Sequence, residues 1–503
     1  MASAGPVPDL AERAATCADR LREAEAVLLA SHIDADGLTS AGIASQALER
    51  AGIPFETVFS KQLDAEEVAA IAAGEYDTVL FTDFGSGQLD IISRHAAAGD
   101  FTPVVADHHQ PADPEDCDPA VVREVDGYAD TQFHLNPLLE GIDGSSELSG
   151  AGAAYVLARA LEPEKGDNRD LAALAVVGAV GDMQTTDGEL VGANQSIVDE
   201  GVAAGAIEET VDLALYGTQT RPLHKLLEYS SDVDIPGITN DENGALRFLD
   251  GLDVELKDEG EWRCWVDLTD DERQTVFEAL AQRAIEKKVR ADRIDSLFGT
   301  TYVLADEIEG TELRDVSEFS TLLNATARYE RADVGLAVCL GDRGEALDRA
   351  RELLQNHRRN LSQGIEMVES EGVTKEEHVQ WFHAGDRIRE TIVGIVAGMA
   401  MGADGVDRGT PILAFAEKTD DSNGDEDIDG DEGDEAAEVK VSSRGTPSLT
   451  RRGLDLSTVM REASRAVGGD GGGHDVAAGA TVPAGTEEEF VALADELVGE
   501  QLA

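Results

Sequence analysis

Val104-Val105-Ala106-Asp107-His108-His109-Gln110-Pro111 is the stretch that decides the fold. A short apolar run rich in β-branched residues stops at a carboxylate and two adjacent imidazoles, followed by a turn-forming proline. Neighbouring side chains in a strand point to opposite faces, so two consecutive histidines cannot both be buried strand residues. They are placed just past a strand end, where ligands gather in open α/β sheets.

Working outward, the same arrangement recurs upstream. An amphipathic helix over 10–25 leads to a buried strand, Val27-Leu28-Leu29-Ala30, which runs into Ser31-His32-Ile33-Asp34-Ala35-Asp36-Gly37 and then a helix over 38–50. A strand over 55–59 and a helix over 64–73 follow. Thr78-Val79-Leu80-Phe81-Thr82 is the next strand, ending at Asp83-Phe84-Gly85, with a helix over 88–97 before the strand at Val104. Strands alternating with helices predict a parallel sheet. Each polar cluster falls at a strand's carboxyl end. Alanine-rich helices over 149–161 and 170–180 follow, the second ending at Gly181-Asp182.

The stretch from about Val211 to Asp315 is less patterned and reads as an insertion or middle region, with a strand around Trp262–Val266 and a helix over 271–293. Helices over 321–329 and 344–368 form a connector. Beyond Lys375 a second α/β domain is predicted, with strands at 379–382, 411–417 and 438–442 and a helix over 389–401. The expected domains are therefore 1–210, 211–320, 321–374 and 375–503. The acidic run 420–435 reads as a solvated loop. Asp425, Asp427, Asp429 and Gly430 have calcium-loop spacing, but Ala436 stands where a bidentate glutamate belongs.

Composition narrows the class. Lys+Arg total 40 against 102 Asp+Glu, a net charge of −62. Such a surface repels itself in dilute buffer but is tolerable where molar salt shortens the Debye length to ~3 Å. The expectation is a protein of a salt-loaded cytoplasm, that of an extreme halophile. The acidity does not exclude a nucleic-acid partner, because bound divalent ions can supply local positive charge. Cys17, Cys117, Cys264 and Cys339 are scattered with no C-x-x-C and read as reduced structural thiols. The first residues have no apolar signal core, and the longest apolar-rich stretch, 391–403, is too short to span a bilayer. A cytoplasmic protein without a membrane partner is expected.

The strand-end groups are His32, Asp34, Asp36, Asp83, Asp107, His108, His109 and Asp182. Four of these aspartates with His32 and His108 make an oxygen-and-imidazole set without sulfur, which suits manganese or magnesium. Four carboxylates nearly neutralise two divalent ions, and without metal they would repel one another. Such pairs serve phosphoester hydrolysis. A later cluster, Ser442-Ser443-Arg444-Gly445 and Gly471-Gly472-Gly473-His474, combines an arginine fork with a glycine run read as a fixed anion-contacting loop.

On these residues the chain resembles the DHH phosphoesterases, and within them the archaeal RecJ-like single-strand exonucleases. The resemblance rests on an ordered set: His32-x-Asp34-x-Asp36-Gly37, Thr82-Asp83-x-Gly85, Asp107-His108-His109 and Gly181-Asp182. Leu323-Asn324-Ala325-x-x-Arg328 matches the segment before the connector, and Gly394-Ile395-Val396-Ala397-Gly398, Ser443-Arg444 and Gly472-Gly473-His474 match the DHH-associated domain. The set covers most of the chain outside about 211–315.

The resemblance implies a manganese- or magnesium-dependent hydrolase with its site between two domains. One metal would take His32, Asp34 and Asp83, and the other Asp36, Asp83, His108 and Asp182. His109 would contact the scissile phosphate or protonate the leaving oxygen, with Asp107 orienting an imidazole. Arg444, Ser443, Gly472, Gly473, His474, Asn324 and Arg328 would hold substrate. The implied partner is single-stranded nucleic acid, in repair or replication alongside replication proteins. Many bacterial RecJ proteins have aspartate where this chain has His32, and histidine occurs there in small-substrate members. Hydrolysis of short oligoribonucleotides or cyclic dinucleotides is thus the alternative. A pyrophosphatase would leave the middle region unexplained. A non-catalytic replication scaffold would not need all six ligands. Trp262, Trp265, Tyr302 and Trp381 are the candidate base-stacking aromatics.

Overall fold

In a computed structural model the described residues are 5–502, except 231–232, 404 and 419–437. The acidic run and its calcium-like spacing lie outside them. The chain forms two compact units, 1–351 and 352–503.

The first unit is built on a five-stranded sheet of order β2-β1-β3-β4 followed by the short strand His134–Leu135, all parallel. These are β1 (Val27–His32), β2 (Phe55–Ser60), β3 (Thr78–Thr82) and β4 (Thr102–Ala106). The connecting helices are α1 (Ala11–Glu23), α2 (Ala35–Ala51), α3 (Ala65–Ala72) and α4 (Leu89–Ala98). The helices α5 (Gly150–Leu161), α6 (Ala172–Gly181) and α7 (Gly192–Ala204) follow. Alternate residues of β1, β3 and β4 serve the two faces of the sheet. Leu28, Ala30, Val79, Phe81 and Val105 are buried with Val68 of α3 and Leu89 and Ile92 of α4. Leu29, Leu80 and Val104, on the alternate positions, are equally buried. A sheet covered on both faces leaves strand ends as the places where polar groups can collect.

The sequence expectation starts the first crossover helix at Leu38, but α2 begins at Ala35. Asp34 is its N-cap, accepting from the Gly37 amide at 2.9 Å. Asp34 and Asp36 are therefore one cap and one first-turn residue of the same helix.

The middle region departs more. Ile207–Leu213 pairs antiparallel with Phe298–Leu304, enclosing a helical subdomain with its own core of Leu226, Leu227, Ile235, Leu249, Trp265 and Leu280. Around the tryptophans, only Glu261–Trp262 is strand, because Trp265 turns inward to that core. The helix expected through Arg293 stops at Glu286, where Lys288 takes a positive φ of 59°, and a short helix Ala291–Asp295 follows. A 27-residue helix, Glu345–Glu371, spans the boundary of the two units.

The second unit has a six-stranded mixed sheet in the order 374–375, 380–383, 412–417, 438–444, 477–483, 470–473. The glycine run expected to be an anion-binding loop is instead the edge strand Asp470–Gly473, paired antiparallel with Ala477–Pro483. Gly471 packs so closely that a Cβ would lie 2.8 Å from that of Ala480. The glycines let the edge strand and its partner approach.

Candidate metal centre

The site is assembled from five element termini in the first unit, one of them the start of α2 with Asp34 and Asp36. His32 closes β1, and Asp83 follows β3. Asp107, His108 and His109 follow β4, and Asp182 caps the carboxyl end of α6. Asp83 sits in the left-handed region at φ 61°, immediately after the central strand β3. A non-glycine residue there costs free energy, and such conformations concentrate at functional sites.

The side chains converge. His32 Nδ1 lies 3.1 Å from Asp34 Oδ2 and 3.5 Å from Asp83 Oδ2. His108 Nε2 lies 3.3 Å from Asp83 Oδ1, 3.7 Å from Asp36 Oδ2 and 3.8 Å from Asp182 Oδ2. Among the described residues three ligand-like groups result, His32/Asp34/Asp83, Asp36/His108/Asp182 and Asp83/Asp107/His108/His109, with Asp83 in two of them and within reach of the third. The interior of the cluster is dry: Asp36 and Asp83 are each 2 % exposed, whereas Asp34, Asp182 and His109 rim an open side.

Supporting contacts fix the donors. His108 Nδ1 donates to the Gly144 carbonyl at 2.6 Å, which leaves Nε2 facing the carboxylates. Asp36 accepts from the amides of Gly150 (2.7 Å) and Ala151 (3.0 Å) at the start of α5, where the helix dipole favours negative charge. Asp107 is fully buried and accepts from the amides of Ser86 (2.9 Å) and His108 (2.7 Å). Its Oδ1 also accepts from His109 Nδ1 at 2.8 Å. Asp107 thus orients His109; the two share the third ligand-like group and neither belongs to the two trios.

The charges are strained without a cation. Burial, then the nearby Asp83 and Asp182, push the Asp36 carboxyl well above the usual carboxylate range. For His32, burial opposes protonation, but hydrogen bonds to Asp34 and Asp83 outweigh it and push the imidazole up to about 10. Asp83 Oδ1 is buried and has no hydrogen-bond partner. An orphaned carboxylate oxygen amid oxygen and imidazole donors is the pattern that a hard divalent cation satisfies. The donor set fits such a cation.

Several supporting residues escape sequence reasoning. Gln184 Nε2 donates to Asp182 Oδ2 and to the Gly144 carbonyl, both at 2.8 Å, and Asn194 in turn holds Gln184 Oε1. Behind His109, Asn136 donates to its carbonyl at 2.9 Å and to Ser86 Oγ, which also meets His134 Nε2 at 2.9 Å. A Cβ at Gly150 would overlap Asp83 Oδ1, and one at Gly178 would overlap Asp36 Oδ1. Only the Ser149 N-cap before Gly150-Ala151-Gly152 hinted that α5 begins at the site.

The expected substrate-binding residues are divided between the units. Asn324 Oδ1 accepts from the Ala35 amide at 3.1 Å, so it braces the start of α2 beside Asp34. Arg328 is exposed on the same helix, Val316–Arg328. In the second unit, Arg444 packs against Gly394, where a Cβ would lie 2.6 Å from Nη2. Gly472 and Gly473 lie on the edge strand, and His474 is exposed at its turn. Ser443 corrects the expectation: it is fully buried and its hydroxyl donates to the Ala478 carbonyl, so it ties strands together. Of the aromatics, Trp265 and Tyr302 are buried. Trp381 packs on Phe415, and Trp262 is 39 % exposed with Lys257 over its ring.

Comparison with known proteins bears on the fold. Residues 215–298 match the DHH-CID domain and 378–500 the DHHA1 domain. An uncharacterized protein of Methanocaldococcus jannaschii is 29 % identical over 478 residues, 94 % of this chain and 93 % of that protein. Among solved structures, exonuclease RecJ bound to manganese is similar over 98 % of this chain and 95 % of its own, at 17 % identity and TM-score 0.56. RecJ of Thermus thermophilus in complex with manganese gives TM-score 0.57 at 17 % identity over 99 % of this chain, which spans only 56 % of that longer protein. CDC45 of Entamoeba histolytica matches at TM-score 0.62 and 11 % identity, over 96 % of this chain and 97 % of its own. The chain thus contains a DHH-CID domain and a DHHA1 domain and has a RecJ-like fold.

Proposed function

We propose that the protein is a divalent-metal-dependent, single-strand-specific exonuclease of the RecJ type, acting in DNA repair or replication. The observation that carries this reading is the pair of donor sets meeting at Asp83, beside a histidine held by a buried aspartate. His32, Asp34 and Asp83 would hold one ion, and Asp36, Asp83, His108 and Asp182 the other. Divalent cations bound there supply charge neutralisation and polarisation of phosphoryl oxygens.

The chain's own residues do the rest. The hydrogen bond to Asp107 raises the affinity of His109 for a proton against the cost of its burial. With Nδ1 tied to Asp107, Nε2 is the atom able to donate a proton to a leaving oxygen at the open side of the cluster. Arg444 and His474 would offer phosphate-binding groups on the second unit, and Asn324 and Arg328 lie on the helix that braces the start of α2. The likeness to CDC45 keeps a replication-scaffold role as the competing reading, but a scaffold has no use for an intact donor set.

Digestion of end-labelled single-stranded DNA and RNA, duplex, and a dinucleotide, with manganese in molar KCl, tests the reading. Progressive shortening of single strands, absent in Asp83→Ala, is expected. Preferential turnover of the dinucleotide would favour the small-substrate alternative. No hydrolysis by the wild type would favour the scaffold.

A further inference from the structure

At 85 %, Met183 is the most exposed large apolar side chain among the described residues, and it directly follows Asp182. It also has a positive φ of 58°. The reason is the way α6 ends. The Gln184 amide donates to the Ala179 carbonyl at 3.0 Å and the Met183 amide to that of Val180 at 3.1 Å, a closure whose left-handed position glycine normally fills. Helices α2, α4 and α7 close in the same way with Gly52, Gly99 and Gly205. Lys288 and Glu330 take that position at two other helix ends, but as charged side chains that water solvates. Met183 alone among these combines an unfavourable backbone conformation with an apolar side chain in water.

Folding requires neither feature, since glycine would close α6 more favourably. The position is held firmly, because Asp182 and Gln184 on either side are hydrogen-bonded to each other at 2.8 Å. An exposed thioether one residue from Asp182, a candidate metal ligand that is itself partly exposed, is suited to contact with a flat aromatic ligand.

We propose that Met183 contacts substrate and helps determine specificity, packing against the nucleobase of the nucleotide whose phosphate lies at the cluster. This rests on the nuclease reading. The base would bury the thioether, which would offset the cost of the left-handed position. The residue would thereby favour nucleotides over base-free phosphoesters.

The test compares wild type, Met183→Gly and Met183→Leu in thermal melting and manganese-dependent kinetics. The substrates are a single-stranded oligonucleotide and the same strand with an abasic terminal nucleotide. Met183→Gly should melt at a higher temperature yet raise KM on the intact strand about tenfold, the upper end of what a lost sulfur–aromatic contact is worth. Met183→Leu should recover most of that loss, and all three proteins should treat the abasic strand alike. An unchanged KM for Met183→Gly on the intact strand, or an equal rise on the abasic strand, would overturn the proposal while leaving the nuclease reading intact. A wild type inactive on both strands would overturn both.

Discussion

At the residue scale, roles at the cluster separate by contact. Asp83 reaches both imidazoles, whereas Asp107 touches only backbone amides and His109. Asp83→Ala should therefore abolish both cation binding and hydrolysis. His109→Ala should leave manganese affinity near wild type while lowering kcat by about 10²–10⁴-fold, the usual worth of a positioned proton donor. Loss of manganese binding in His109→Ala, measured by calorimetry, would instead make His109 a ligand. A second buried carboxylate makes a different prediction. Glu318 accepts from the Gln219 amide at 2.9 Å and from the Thr220 hydroxyl, and is 1 % exposed. Burial, partly offset by those hydrogen bonds, pushes its carboxyl up to about 7. The folded state thus holds the proton more tightly than the unfolded chain. Its stabilising contribution is complete below the unfolded value near 4.5 and is lost as pH rises through about 7. Glu318→Gln should melt at a higher temperature than wild type at pH 8, and the difference should shrink towards pH 5. A difference that stays constant over that range would contradict the assignment.

At the scale of elements, the arrangement depends on where strands stop and helices start. Gly150 sits so close to Asp83 that a methyl group would displace the carboxylate. Gly150→Ala should weaken manganese binding at least tenfold without unfolding the domain, as followed by circular dichroism beside calorimetry. Ser149→Ala, which removes only the α5 cap to the Gly152 amide, should cost about 1 kcal/mol of stability with a smaller effect on the metal. The strand ends were legible in the sequence because an apolar run broken by Asp or His leaves little choice of register. The start of α2 at Ala35 was less legible, since Asp34 serves both as helix cap and as site residue. The glycine run at 471–473 was misleading, because composition does not distinguish a flexible loop from a tightly packed edge strand. The burial of Ser443 follows from strand register, which a lone Ser-Arg pair does not reveal. The bracing of Gly144 by Gln184 and of His109 by Asn136 depends on contacts 40 and 27 residues apart in the chain, for which no local pattern exists.

At the scale of the whole molecule, a net charge of −62 dominates behaviour in solution. Lowering the Debye length from ~10 Å at 0.1 M salt to ~3 Å at 1 M removes most of the repulsion among exposed carboxylates. The melting temperature should therefore rise steadily from 0.1 to 2 M KCl, and a flat or falling profile would argue against adaptation to a salt-loaded cell. Among the described residues, no helix is long and apolar enough to cross a membrane. The cluster draws its residues from the first 182 positions, so a cation there would tie together five element ends that the sheet alone leaves mutually repelling. Manganese titration followed by electron paramagnetic resonance addresses that point directly. The account predicts two tightly bound ions per chain with a spin-coupled spectrum in the wild type, and no coupled pair in Asp83→Ala. Manganese bound only weakly, with the same spectrum in both proteins, would contradict it.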